Sequence, residues 1–75
     1  EHGGKAYKWV SPGHVGVADR IVLLPGGVVW FVELKTARGR LSPWQKLFAA
    51  DMRRMGMNYI VIRSKGEVDE LLQRV

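Results

Sequence analysis

The octapeptide VVWFVELK, residues 28 to 35, is apolar on both sides of any strand it forms. Val29 and Phe31 point one way; Val28, Trp30, Val32 and Leu34 point the other. Such a strand belongs inside a parallel or mixed sheet with cover above and below. It also carries Glu33. A buried carboxylate without a partner costs several kcal/mol or takes up a proton, so the chain must supply something to compensate it.

The segments around this strand say what surrounds it. AYKWV (6 to 10) reads as a short strand and SPGHVGVA (11 to 18) as a loop punctuated by glycine and proline. DRIVLL (19 to 24) pairs with residues 28 to 35 as a hairpin through Pro25, Gly26 and Gly27. After the basic stretch TARGRL, Ser42 and Pro43 predict the start of a helix that runs through Met55 and stops at Gly56. Trp44, Leu47, Phe48, Met52 and Met55 form its apolar stripe, which places Trp44, like Trp30, in the core rather than in base stacking. NYIVIR (58 to 63) is a further strand, and Ser64 with Glu67 is a capping box for a last helix with Val68, Leu71, Leu72 and Val75 on one stripe. The predicted order is β, β-hairpin, α, β, α. Strand 28 to 35, helix 43 to 55 and strand 58 to 63 make a parallel, right-handed βαβ unit.

One crossover helix cannot cover both faces of the sheet. The opening EHGG resembles the glycine-terminated end of a helix, so the chain is expected to lack the body of an N-terminal helix or to borrow cover from a second chain. Seventy-five residues make one domain, and at this size only about 60% of the unfolded surface is buried. The absence of cysteine excludes a disulfide scaffold and a thiolate metal site. No apolar run approaches the roughly 18 residues of a membrane span, and no signal peptide opens the chain; an intracellular protein is expected.

Net charge is +5, and it is unevenly placed. Between Lys35 and Arg54 stand six basic residues against one acid, Asp51, whereas Glu67, Asp69 and Glu70 crowd the end. A basic field of this kind suits nucleic acid, but a solvated surface explains it equally well on charge alone.

The hairpin supplies the partner for Glu33. A two-residue loop at Gly26-Gly27 would set Asp19 against Leu34, facing away. A three-residue loop, Pro25 to Gly27, sets Leu24 against Val28 and Asp19 directly opposite Glu33, with Gly27 in the left-handed position. The second register is expected, and period two brings Lys35 to the same face. Two carboxylates so close need a shared proton or a cation between them. Hard oxygen donors with room for water suit Mg²⁺ or Mn²⁺, and a nearby lysine suits phosphodiester hydrolysis. A plain ion-pair cluster of Asp19, Glu33 and Lys35 at the sheet end stays open beside this reading.

Asp19, thirteen residues, then Glu33-Leu34-Lys35 resembles the D…ExK signature of the PD-(D/E)XK nuclease superfamily. GVADRIVLLPGGVVWFVELKTARGRLSPWQ, followed by NYIVIRS, is similar to the virus-type replication-repair nuclease domain, VRR-NUC, over nearly all of the chain from Lys8 onward. The resemblance implies a restriction-endonuclease-like α/β fold: a mixed sheet with a β-hairpin, a crossover helix and flanking helices. It implies that Asp19, Glu33 and the Leu34 carbonyl hold the metal, that Lys35 handles the attacking water, and that Gln45 lies close by. It further implies a homodimer acting on branched DNA, similar to Holliday junction resolvases, in the cytoplasm of a bacterium or phage-infected host. Two departures stand out. Ala18 replaces the usual proline before the aspartate, and the acid usually carried on an N-terminal helix has only Glu1 as a candidate.

Gln45 has a second reading, since SPWQ is itself a capping box in which Gln45 bonds back to Ser42. Arg38 and Arg40 are expected to contact phosphate from the loop after the motif, with Lys8, Arg20 and Lys46 as further DNA-binding candidates. His2 and His14 show no ligand spacing, and Ser11 and Ser64 read as turn and cap residues. Two functions remain: a metal-dependent DNA endonuclease, and a non-catalytic DNA-binding or assembly module that keeps the fold.

Overall fold

The computed structural model describes residues 3–74. Its elements run β1 (Lys5–Lys8), β2 (Arg20–Leu24), β3 (Val28–Leu34), α1 (Pro43–Arg54), β4 (Asn58–Ile62) and α2 (Lys65–Arg74). The strands form one mixed sheet in the order β1-β2-β3-β4. β1 and β2, and β2 and β3, pair antiparallel, while β3 and β4 pair parallel across the α1 crossover. The first strand is shorter and earlier than the 6-to-10 expectation, because Trp9 reaches the sheet only by donating its N–H to the Asp19 carbonyl at 2.9 Å.

Leu24 pairs with Val28, so the three-residue loop is the one that forms. Both glycines adopt the left-handed region, Gly26 at φ +86° and Gly27 at +78°, where only Gly27 was expected there. A proline followed by a positive-φ glycine is the type II turn pattern, and Gly27 then completes the reversal without a side chain to clash.

Register and period two sort the side chains onto two faces. Ile21, Phe31 and Tyr59 share the α1 face, where α1 docks through Phe48: its ring lies 6.1 Å from Phe31, 6.0 Å from Tyr59 and 5.7 Å from Trp9, centroid to centroid. Tilted and edge-to-face contacts at these distances add to the area each ring buries. The helix stripe needs correction. Trp44 and Leu47 are 61% and 58% exposed and Met55 is also exposed, while Gln45, Phe48, Ala49 and Met52 turn inward. The reason is angular: at 100° per residue Trp44 lies about 90° and Leu47 about 150° from the centre of the inward face, and both border the loop of Gly13, His14, Val15 and Val17 rather than the sheet. Phe48→Ala is therefore expected to cost about 3 kcal/mol and Trp44→Ala under about 1, read by urea denaturation. Equal losses would return Trp44 to the core.

Val32, Ile62 and Leu71 are buried together on the opposite, α2 face, with Val22, Trp30 and Ile60 against them. Val68 is partly exposed, and Val75 lies outside the described residues. Cover here is incomplete. A cavity of about 380 Å³ opens among Ala6, Val22, Leu24, Val68, Leu71 and Leu72, and Leu34 is 41% exposed. Glu1 and His2, the expected end of a preceding helix, lie outside the described residues. Among the described residues no helix is long and apolar enough to cross a membrane.

Candidate active site

The ladder between β2 and β3 ends at Arg20 opposite Val32, and one further step faces Asp19 to Glu33. Ala18 would come next, opposite Leu34, but it is fully buried off the strand. The Leu34 N–H is thereby left without a backbone carbonyl. Asp19 takes it instead: its Oδ2 accepts from Leu34 N at 3.0 Å. On the other side the Asp19 carbonyl accepts from Trp9 N, so both ends of the residue are tied to neighbouring strands.

Glu33 is 1% exposed, within a strand whose parallel partner at that level is Val61. The ladder continues one residue past β3, with Lys35 N donating to the Ile62 carbonyl at 3.0 Å. Lys35 is thus fixed on the Glu33 face, and its Nζ stands 3.8 Å from Glu33 Oε2. The expected trio of Asp19, Glu33 and Lys35 is brought together.

Gln45 comes to the same oxygen. Its Nε2 donates to Glu33 Oε2 at 3.2 Å, while its Oε1 accepts from Ser42 N at 2.8 Å and its own N–H donates to Ser42 Oγ at 3.2 Å. The two readings of Gln45 are compatible, because the amide has two ends and serves both. Capping fixes the oxygen on the helix start and leaves the NH₂ to point at the acid. Gln45→Glu keeps an oxygen for the cap but sets a carboxylate against Glu33. Helix content by circular dichroism should hold while any cleavage activity falls at least about tenfold. Undiminished cleavage would leave Gln45 as a cap alone.

Electrostatics at Glu33 follow from this packing. Burial first, then a hydrogen bond with Asp19 and the charge of Asp19, raise its carboxyl from 4.5 to about 7, with Lys35 pulling the other way. Its second oxygen, Oε1, is buried and accepts from no N–H or O–H among the described residues. Tyr59 is held above the usual phenol range by burial and then by the charge of Glu33, so its buried hydroxyl stays neutral.

An orphaned carboxylate oxygen beside a second carboxylate fits a small hard cation. Asp19 and Glu33 supply oxygen donors. A strand residue directs its N–H and C=O to the same edge, which puts the Leu34 carbonyl on the Asp19 side. Among the described residues no cluster of three or more His, Cys, Asp or Glu is gathered, so a cation here would rely on water and substrate oxygens for the rest of its shell.

The basic candidates divide. Arg38 and Arg40 stand exposed on the loop after Lys35, and Lys46 is exposed on the first turn of α1. Lys8 and Arg20 pair with each other, and Arg20 with Val32, which sends both to the face opposite Glu33. Arg20 spends part of its guanidinium on the Asp19 carbonyl at 3.1 Å. The structure does not bring these two to the acids, and the reason is the period-two rule: neighbours of Asp19 on β2 point away from it. Arg63, outside the sequence candidates, reaches the loop bearing Arg38 and Arg40. Ser11 Oγ lies 3.5 Å from His14 Nδ1, a local contact within an exposed turn.

No family model matches the chain. A protein named "Putative nuclease p44", from Acyrthosiphon pisum secondary endosymbiont phage 1, is 44% identical over 63 residues, which span 84% of this chain and 68% of that protein. A solved structure described as "VRR_NUC domain" is similar with a TM-score of 0.89 at 36% sequence identity, covering 96% of this chain and 78% of that one.

Proposed function

This chain belongs to the VRR_NUC domain family, and from that premise we propose that it is a nuclease: a Mg²⁺- or Mn²⁺-dependent endonuclease that hydrolyses phosphodiester bonds in branched DNA, four-way junctions foremost. Its four-stranded mixed sheet with flanking helices has the restriction-endonuclease-like fold. The single observation that carries the reading is the convergence of Asp19, Glu33 and Lys35 on one face, with one Glu33 oxygen buried and without an N–H or O–H donor among the described residues.

Each residue then has a task. Asp19, Glu33 and the Leu34 carbonyl would hold the cation, which when bound supplies Lewis-acid charge against a phosphoryl oxygen. Gln45 keeps Glu33 from rotating away, since its Nε2 is fixed from behind by the helix cap. Lys35, tethered through its backbone to β4, orients the attacking water and opposes the negative charge that gathers on phosphorus oxygens as the new P–O bond forms and the old one breaks. Arg38, Arg40 and Lys46 hold flanking phosphates. A four-way junction offers two scissile strands to a small domain, which favours a homodimer with one centre per strand.

The alternative, a non-catalytic DNA-binding or assembly module, draws on one observation: two carboxylates, not three or more, are gathered among the described residues. One experiment separates the readings. Labelled duplex, flap, fork and four-way junction are each incubated with the protein in Mg²⁺, Mn²⁺ or EDTA. Cleavage of branched DNA only with a divalent ion is expected. Binding without cleavage in every condition selects the module, and equal cleavage in EDTA discards the metal.

A further inference from the structure

Arg63 is the third residue of V-I-R-S, and the chemistry above gives it no part. It follows β4 directly, and its Nη1 donates to the Thr36 carbonyl at 3.1 Å and also to the Gly39 carbonyl. Its own N–H donates to Glu67 Oε1. Here the capping box departs from expectation: Ser64 Oγ accepts from Glu67 N at 3.3 Å, but the Glu67 carboxylate reaches back to Arg63 and not to Ser64. Arg63 is thereby anchored to the start of α2 while its guanidinium crosses to the loop that leaves β3.

That loop is a closed turn. Gly39 N donates to the Thr36 carbonyl at 3.1 Å, and a Cβ on Gly39 would come within 2.9 Å of Thr36 Oγ1. Arg38 and Arg40 stand exposed on it, directly after Lys35. A further cation beside these three is repelled, so the placement of Arg63 calls for a compensating gain. Two carbonyls bonded to one planar guanidinium provide it, because they fix the turn in a way a flexible ammonium does not.

We propose that Arg63 is a positioning residue: it locks the 36-to-40 turn so that Arg38 and Arg40 face DNA phosphates as a fixed pair beside the Asp19–Glu33 centre. The choice of phosphate as ligand rests on the nuclease reading; the locking of the turn does not. A loop free to move would lose side-chain and backbone entropy on every encounter with DNA, and prior fixing removes that loss.

The test has one arm with DNA and one without. Arg63→Met in the full chain should raise the rate of native-state trypsin cleavage after Arg38 and Arg40 at least about tenfold, with cleavage after Arg53 and Arg54 in α1 unchanged. Junction binding in EDTA should lose about two from the slope of log K against log salt, the equivalent of two phosphate contacts. In an Arg38→Gln/Arg40→Gln background the same substitution should change the slope no further. Arg63→Lys, which keeps the charge and the fold, should loosen the turn by a smaller factor. Unchanged trypsin cleavage after Arg38 and Arg40, protection in the lysine variant equal to wild type, or a full additional loss of slope in the double background overturns the proposal. If the wild-type protein neither binds nor cuts DNA, the nuclease reading falls, and the trypsin arm still decides whether Arg63 locks the turn.

Discussion

Lys35→Ala should lower the cleavage rate at saturating metal by about 10² to 10⁴, the range associated with losing a positioned general acid or base, while changing junction affinity in EDTA less than threefold. The split is the informative part. Lys35 is mostly buried and stands 3.8 Å from Glu33 Oε2, so it is poorly placed to act as one more surface phosphate contact. Arg38, Arg40 and Lys46 are exposed and remain in the variant to carry binding. A role confined to the chemical step therefore leaves affinity alone and removes rate, seen as loss of kcat with little change in KM. Equal losses in binding and rate would make Lys35 a DNA contact, and full activity in the variant would remove it from the mechanism. Lys35→Arg is a useful companion, because a bulkier planar group keeps the charge but cannot reproduce the position of Nζ.

How much of this was legible beforehand depended on whether the governing interaction was local in sequence or in register. The meeting of Asp19 with Glu33 required only the loop length, which Pro25-Gly26-Gly27 declares, and the alternation of a strand. The two roles of Gln45 are both visible but read as rivals: the capping box commits the amide oxygen to Ser42 N–H, and only the docking of α1 on β3, which is not local in sequence, brings the NH₂ to Glu33. Helical spacing placed Trp44 in the core; spacing reports which residues share a flank, not which flank meets the sheet. Lys8 and Arg20 are candidates by their charge, although the alternation that unites Asp19 with Glu33 turns Arg20, and Lys8 beside it, away. The sequence assigns Arg63 no role since its partners are the carbonyls of Thr36 and Gly39, 27 and 24 residues earlier, and carbonyls leave no trace in sequence.

Glu33→Gln should abolish metal-dependent cleavage and, without metal, make the protein more stable above neutral pH. The folded Glu33 carboxyl titrates at about 7, against 4.5 as its ordinary value, chiefly because it is buried. Between those values the unfolded chain gives up the proton and the folded chain keeps it. The folded state then binds more protons, so stability falls as pH rises through this window and levels off above about 7. At about 1.4 kcal/mol per pH unit the window amounts to roughly 3 kcal/mol. The glutamine variant carries no charge to desolvate; its oxygen can accept from Gln45 Nε2, and its amide can donate toward Asp19. Urea denaturation in EDTA should therefore give nearly equal stabilities at pH 4.5 and an advantage of about 2 to 3 kcal/mol for the variant at pH 8. A divalent ion should reverse the order, since it competes with the proton at Glu33 and stabilises only the protein that retains the carboxylate. Identical pH profiles for the two proteins in EDTA would mean that Glu33 is not held under strain, and the case for a cation site poised by an unpartnered acid would lose its physical basis.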